Sequence, residues 1–475
     1  MTKVIFTEND FVHYARCPSL FKKSYTTQFP PLEPGLISLA KRALKEYFNH
    51  KELAQDITIA HTTQDSISEQ FENKVLCFPR FNADSLLFTP HIIDFNADTI
   101  DVYILCQAYS INNYFIKQLS IWFFGLHQLG FKNIQLFSLH ISQDSANESR
   151  LIKRNLTLQA TKKSNSLTSD IQQMKHVVNQ QYSTTPSLVR SCFKPHRCNY
   201  FESCWKTIDN PSLLTVNGLS FSDKLTAYKK GLTNLSSYHD THIDFSELQH
   251  IQINSELNNK PHIEHAALRE FFDTLNYPLQ CFDIETVTYT VSPFEPSCFF
   301  QKIPFLFSCH TLYNFDAPVS YKHTFLDPIK DPRRLFAEQL LSTLSYSSSI
   351  IVYDAMLETQ IIKQLATMFP DLSSELHVLL NHIVDISYLF KNLKLYIPAM
   401  QGRFSLKAIH HALKPHSSHE SLRIKSGFDV STKMQEYGLL DSSEKQSLQN
   451  DIVEYCKMDT QAIVDMLFYI YKVIK

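Results

Sequence analysis

Glycine is scarce in this chain. Its 475 residues include only eight, where an average sequence carries roughly 7%. They are Gly35, Gly125, Gly130, Gly218, Gly231, Gly402, Gly427 and Gly438. No arrangement of them gives G-x-G-x-x-G or G-x-x-x-x-G-K-[ST], so a dinucleotide fingerprint and a Walker-type phosphate loop are excluded. Long apolar runs are missing too. The most apolar stretch, Phe115 to Phe131, is interrupted by Lys117, Gln118, His127 and Gln128, too short and too polar for a membrane span. The opening residues, MTKVIFTENDFVHY, hold no apolar core with a small-residue cleavage site, so no secretory signal is expected. A formal net charge of -2 excludes a bulk polycation, and any nucleic-acid contact must rest on a local basic surface. No self-similar period runs through the sequence, which argues against a repeat architecture.

What is present describes a folded protein. Hydrophobic residues make up 44%, aromatics 12% and charged residues 19%, a composition rich enough in apolar surface for packed cores. The length predicts two or three domains. The ten cysteines, in a chain with no predicted secretory signal, lead us to expect reduced thiols and a cytoplasmic location.

Along the chain, His91 to Tyr109 reads as two strands joined by a polar turn around Asn96 and Asp98. Asn113 to Phe131 reads as a buried helix, and NIQLFSLHI as a further strand. Ser142 to Asp170 is polar and reads as surface loop with helix ends. From Ile208 to Pro278, short helical patterns are broken by Asn210-Pro211, Gly218 and Gly231. Beyond Pro278 the pattern changes to strand, strand, strand, helix, strand, helix, which predicts a layered α/β domain with a mixed sheet. The last segment, Ser442 to Lys475, is a long amphipathic helix.

That second half carries the acids. LQCFDIETV is a near-continuous apolar run containing Asp283 and Glu285 at i, i+2, so both carboxylates leave one face of a strand. Like charges on a buried face invite a divalent cation, and oxygen-only ligands suit Mg2+ or Mn2+. Solvated acids at a strand end are the alternative. Asp354 and Glu358 stand four apart at a strand-to-helix junction, IIVYDAMLE. Tyr455 and Asp459 stand four apart on the final helix and share a face. Carboxylates from several elements are what a two-metal phosphodiesterase requires, and a neighbouring tyrosine hydroxyl can orient the water.

D-x-E in a strand followed by a second acidic block and Y-x-x-x-D in a late helix resembles the DEDDy 3'-5' exonucleases. The resemblance implies a ribonuclease-H-like fold, a two-metal site held by Asp283, Glu285, Glu358 and Asp459, and catalytic roles for Asp354 and Tyr455. The middle block departs from the family pattern: Asp354 stands where asparagine is usual, and Glu358 where aspartate is. Gly402-Arg403-Phe404-Ser405-Leu406-Lys407 resembles the G-x-x-S-L-K segment that precedes a helix in such domains.

The first half carries the thiols. Cys192, Cys198 and Cys204 form C-x5-C-x5-C in SCFKPHRCNYFESCW, and Cys17 lies in ARCPSLFKKSY. Four thiols brought together by folding can hold an iron-sulfur cluster. Zinc is the rival, with His196 as a further ligand, and unrelated buried thiols are the plain alternative. The set is similar to that of RecB-like PD-(D/E)XK nucleases carrying a [4Fe-4S] cluster. Asp94 fits their strand aspartate. Leu105 and Gln107 occupy the expected glutamate and lysine positions, which implies a domain that keeps the fold and has lost hydrolysis.

Together the order resembles a bacterial family of unknown function that fuses a RecB-like iron-sulfur module to a DEDDy-type domain. The expected architecture is α/β: a restriction-endonuclease-type domain over 1–207, a helical connector over 208–276 and a ribonuclease-H-like exonuclease domain over 277–475. The expected activity is 3'-5' hydrolysis of single-stranded DNA or RNA. The competing class is a decayed nucleic-acid-binding or scaffold protein with an iron-sulfur or zinc module. Arg150, Lys153, Arg154, Lys162 and Lys163 read as a solvated face, and Phe299, Phe300, Phe305 and Phe307 as packing residues.

Overall fold

A computed structural model describes residues 4–49, 51–55, 58–60, 71, 74–96, 99–142, 150–179, 187–194, 198–205, 210–296, 298–416 and 419–475. The chain is a mixed α/β protein with several sheets. It divides into two compact units. One comprises Met1–Lys206 with Tyr289–Gln301, the other Thr207–Thr288 with Lys302–Lys475.

The first unit is built on a six-stranded sheet in the order Leu151–Asn155, Ile134–Ile141, Ile100–Cys106, Ile92–Phe95, Lys74–Cys77, Glu52–Gln55. Its period-two pattern is legible in the strand Ile100–Cys106. Val102, Ile104 and Cys106 pack with Leu119 and Trp122 of the helix Asn113–Gln128. Tyr103 and Leu105 pack on the opposite face with Leu39 and Ala43 of the helix Pro34–Tyr47. Leu105 is therefore a core residue in a sheet covered on both sides. Residues 289–301 complete that second face: Phe299 joins the Leu39–Tyr103 cluster, and Thr290 donates from Oγ1 to Gln107 at 2.6 Å. The polar stretch expected as loop contains the strand Leu151–Asn155 and the helices Thr157–Ser164 and Leu167–Asn179. Only Leu151 of that edge strand is buried, so it lacks the alternation by which strands are recognised.

The second unit carries a five-stranded sheet. Its strands are β1 (Leu279–Thr288), β2 (Lys302–Leu312), β3 (Ser320–Phe325), β4 (Ile350–Val352) and β5 (Ile383–Asp385). Their spatial order is β3-β2-β1-β4-β5. β1 pairs antiparallel with β2 and parallel with β4, and β4 pairs parallel with β5. A central strand covered on both faces must be apolar almost throughout, which is why LQCFDIETV shows so little alternation. Helices α1 (Arg333–Thr343), α2 (Met356–Met368) and α3 (Ser373–Leu380) bury Phe336, Leu340, Ile361, Leu365 and Leu376 against β1 and β4. Three further helices of this unit bear on the site: α4 (Leu406–Leu413), α5 (Gly427–Gln435) and α6 (Ser442–Ile474).

The long helix α6 starts at Asp441, whose side chain accepts from Glu444 N at 2.8 Å while Glu444 reaches back to Asp441 N at 3.0 Å. That reciprocal pair satisfies two end donors. Its buried stripe runs through Ile452, Tyr455, Cys456, Asp459, Ile463, Met466, Leu467 and Ile470. Each large apolar member contributes roughly 1.5–3 kcal/mol by leaving water. Tyr455 and Asp459 sit within that packing stripe.

The segment expected as a connector is built into this unit. His262–Ile263 pairs with Leu395–Tyr396. Tyr396 donates from its hydroxyl to Glu256 at 2.5 Å and accepts from Gly402 N at 2.8 Å, while Gln252 donates to Glu256 at 2.8 Å. These contacts seat the turn that launches α4. Gly402 has φ +67°, and a Cβ there would lie 2.2 Å from the carbonyl oxygen of Thr215. Gly402→Ala is therefore expected to lower unfolding stability by at least about 2 kcal/mol, from the left-handed backbone and the overlap together. Urea denaturation measures it, and a loss under half a kilocalorie would show that the turn relaxes freely.

Candidate functional site

Asp283 and Glu285 leave the same face of β1, as the i, i+2 spacing requires. The β1–β2 pairing shifts register between Glu285 and Thr286, where Glu285 opposes Leu306 and Thr286 opposes Pro304. Phe305 is the extra residue of that bulge, a device that re-aims neighbouring side chains. Asp459 and Tyr455 come from α6, and Glu358 from the first turn of α2. Glu285, Glu358 and Asp459 are buried and Asp283 is half-buried.

The mutual influence of these groups shows their convergence. Burial, then Asp459, Glu285 and Glu358 in turn, push the Asp283 carboxyl well above the usual range. Burial and Asp459, with a further push from Glu358, do the same to Glu285, against the pull of Lys407. Burial raises Glu358 from 4.5 to about 7, with Asp354 and Asp385 adding to it. Tyr455 is held firmly as a neutral phenol by burial and by Asp459, Glu285 and Asp283, and it hydrogen-bonds Asp459. Four of the six expected exonuclease side chains thus form one acid cluster with Tyr455 against it. Asp354 stands at its edge. It is exposed, with φ +67°, and ion-pairs with Lys391 at 3.0 Å.

Other side chains close the site. His419 Nε2 bonds Asp459 Oδ1 at 2.7 Å and its ring packs against Tyr455. Lys407 lies over the Tyr455 ring at 4.5 Å and bonds the carbonyl of Lys425. Burial lowers its ammonium pKa, opposed by Asp459, Glu285, Asp429 and Asp283. The Cys456 thiol, held protonated by burial, donates to Asp283 Oδ2 at 3.3 Å. Asp283, Glu285 and Cys456 are the one group of three potential metal-binding side chains within 4.8 Å among the described residues. Behind them, Ser308 donates to the Cys456 carbonyl at 2.8 Å and His310 Nδ1 meets Thr460 Oγ1 at 2.8 Å, fixing α6 to β2. Asp385 ends β5 and accepts from the backbone N–H of Asp354 at 2.9 Å and of Ser387 at 2.8 Å, so it builds the turn that aims Glu358.

Lys407 was legible only as part of S-L-K. No sequence signal marks His419, which opens the short 3-10 turn His419–Ser421 forty positions before its partner. Cys456 was hidden inside Y-x-x-x-D.

The four expected cluster cysteines also converge. Cys17, Cys192, Cys198 and Cys204 line one small cavity with Arg16 and Trp205, and all are free thiols. Arg16 donates to the Ser191 carbonyl at 3.2 Å and Ser191 Oγ to the Arg16 carbonyl at 2.9 Å, stitching the distant segments together. Cys198 N bonds the Cys192 carbonyl at 3.0 Å. Burial raises the Cys192 thiol, with Cys17 and Cys198 adding to it. His196 lies outside the described residues. Asp94 is buried and ion-paired with Lys51 at 2.5 Å. Its cross-strand neighbour is Asp101, while Gln107 bonds Glu33 at 2.9 Å.

Residues 280–405 match a family described as "Domain of unknown function (DUF2779)". The match takes in Asp283, Glu285 and Glu358 and ends before Lys407, Tyr455 and Asp459. No curated protein and no solved structure matches the chain.

The acid cluster sets a pH dependence. Glu358 binds its proton more tightly folded than unfolded, so its contribution to stability is complete below about pH 4.5 and is lost as pH rises towards 7. Asp283 and Glu285 act in the same direction. In chelator, the melting temperature is expected to fall across that window, and less steeply for Glu358→Gln. Parallel pH profiles for the two proteins would contradict the shift.

Proposed function

We propose that the second unit is a metal-dependent phosphodiesterase that removes nucleotides from the 3' end of DNA or RNA. The observation that carries this reading is the convergence of Asp283, Glu285, Glu358 and Asp459, with Tyr455 bonded to Asp459, in one partly desolvated cluster. A mixed sheet with the D-x-E strand at its centre supports the ribonuclease-H-like resemblance.

The residues fit divalent cations. Glu358 Oε2 is buried with no hydrogen-bond partner among the described residues, and the donors are hard carboxylate oxygens of the kind Mg2+ and Mn2+ take. Bound there, the ions would stabilise the attacking and leaving oxygens of the phosphodiester. Asp283, Glu285, Glu358 and Asp459 would hold them. Tyr455 remains a neutral phenol at physiological pH, so its hydroxyl is available to orient water. His419 and Tyr455 together fix the Asp459 carboxylate, and Asp354 supports the start of α2.

The same order of reasoning applies to the thiols of the first unit, for which we propose a [4Fe-4S] cluster. Four sulfurs around a single tetrahedral zinc lie about 3.8 Å apart, from a Zn–S bond of about 2.3 Å. No three of these four lie within 4.8 Å of one another, a spread that favours a polynuclear cluster.

Purified protein with Mn2+ is expected to shorten 5'-labelled single-stranded oligonucleotides one nucleotide at a time. Asp283→Ala should abolish this, and Tyr455→Phe should slow it by roughly 10²–10⁴-fold. A wild-type protein that leaves both DNA and RNA intact sinks the reading and favours the decayed binding protein. For the first unit, anaerobically purified chain should contain iron and acid-labile sulfide in equal amounts, with visible absorption lost in Cys192→Ser. Bound zinc without iron would reverse the assignment.

A further inference from the structure

Beside the acid cluster lies a cleft of the opposite sign. It has a volume of ≈ 290 Å³ and is lined by Arg403, Ser405, Lys407, His411, His419 and Lys425. Among the described residues its walls carry no carboxylate, and neither Arg403 nor Lys407 has an ion-pair partner within 4 Å. Two of the lining residues belong to both environments. His419 bonds Asp459, and the Lys407 charge interacts with Asp459, Glu285 and Asp283. The cleft therefore opens directly onto the carboxylates.

A second path joins the two. Lys425 lines the cleft, and two residues later a Cβ on Gly427 would lie 3.6 Å from Glu285 Oε2. The next residue, Phe428, is 80% exposed. A large aromatic ring left almost wholly in water is costly, and here it follows Lys425 of the cleft by three residues and directly follows Gly427, which lies beside Glu285. Cations tracking a backbone beside an aromatic platform for bases are the pairing that recognises single-stranded nucleic acid.

We infer that this cleft is a binding site for the phosphates of a single strand, held by Arg403, Lys407 and Lys425, with an unpaired base stacked on Phe428. The inference rests on the phosphodiesterase reading for its direction, since it places neighbouring phosphates in the cleft when one phosphate is at the carboxylates. It does not rest on hydrolysis for its test. A base can stack on Phe428 only when its face is free, so a paired strand forfeits that contact.

The experiment is fluorescence anisotropy with a labelled single-stranded dodecamer in EDTA, where hydrolysis cannot occur, using DNA and RNA of one sequence and the matching DNA duplex. Arg403, Lys425 and Phe428 are exposed, so their substitution leaves the core intact, and thermal melting verifies it. Arg403→Ala with Lys425→Ala is expected to weaken single-strand binding about tenfold or more and to reduce the salt slope by about 1.4, from roughly 0.7 per phosphate contact. Phe428→Ala should weaken it by at least about fivefold with an unchanged salt slope. The duplex should bind more weakly than either single strand. If the wild type does not bind, if the double variant keeps its salt slope, or if duplex binds as tightly, the inference is overturned. If these signatures appear while the manganese assay shows no cleavage, hydrolysis alone is rejected.

Discussion

Repulsion among buried carboxylates is the constraint around which the second unit is organised. Asp283, Glu285, Glu358 and Asp459 come from three elements into a space with little water, where Asp459 and Glu358 add to burial in raising the proton affinity of Asp283 and Glu285. Packing alone gives no reason to assemble them, since buried like charges oppose folding. The neighbours answer that charge in graded ways. Cys456 and Tyr455 donate single hydrogen bonds, His419 caps Asp459, and Lys407 brings one positive charge with no direct ion pair among the described residues. The set is under-neutralised by protein groups, and that is the physical condition under which a hard cation binds well.

The surrounding architecture converts this local problem into a shared one. Tyr455 and Asp459 lie in the same stripe of α6 that buries Ile452, Ile463 and Met466. Glu285 sits on the central strand opposite a bulge of β2, and Glu358 depends on a turn held by Asp385. Each acid of the cluster is thus placed by an element whose own position is set by apolar packing. Rigid placement of this kind is what a charge-stabilising site requires, because groups that reorganise lose much of their electrostatic advantage. The polar contacts of Ser308, His310 and Thr460 behind α6 serve the same end from within the core.

Much of this was readable from the chain. Period two predicts that Asp283 and Glu285 share a face, and period 3.6 predicts the same for Tyr455 and Asp459, because both rules depend only on local backbone geometry. The mixed sheet followed from apolar runs of strand length. His419 was unreadable because its relation to Asp459 depends on how a short 3-10 turn folds back, which no short-range pattern encodes. Asp385 ends a strand, and its work is to accept backbone donors from the start of the α2 turn, a pairing that spacing does not show. In the first unit, counting along the strand leads to Leu105 as the expected partner of Asp94. Antiparallel register instead sets Asp101 opposite Asp94 and sends Leu105 into the core. Spacing cannot supply register. The helical connector was visible as helices, yet its union with the second unit depends on Glu256, Gln252 and Tyr396, which meet only in three dimensions.

The division of the chain has a temporal consequence. The first unit consists of residues 1–206 together with 289–301, and Phe299 belongs to one of its core clusters. A chain made from its N-terminus exposes the Leu39–Tyr103 face well before Phe299 exists to cover it. By the time that ring leaves the ribosome, residues 207–288 of the other unit have already emerged. The N-terminal unit therefore starts first but cannot close until part of its successor has emerged, and its last core contact is delivered by a segment that interrupts the β1–β2 connection of that successor.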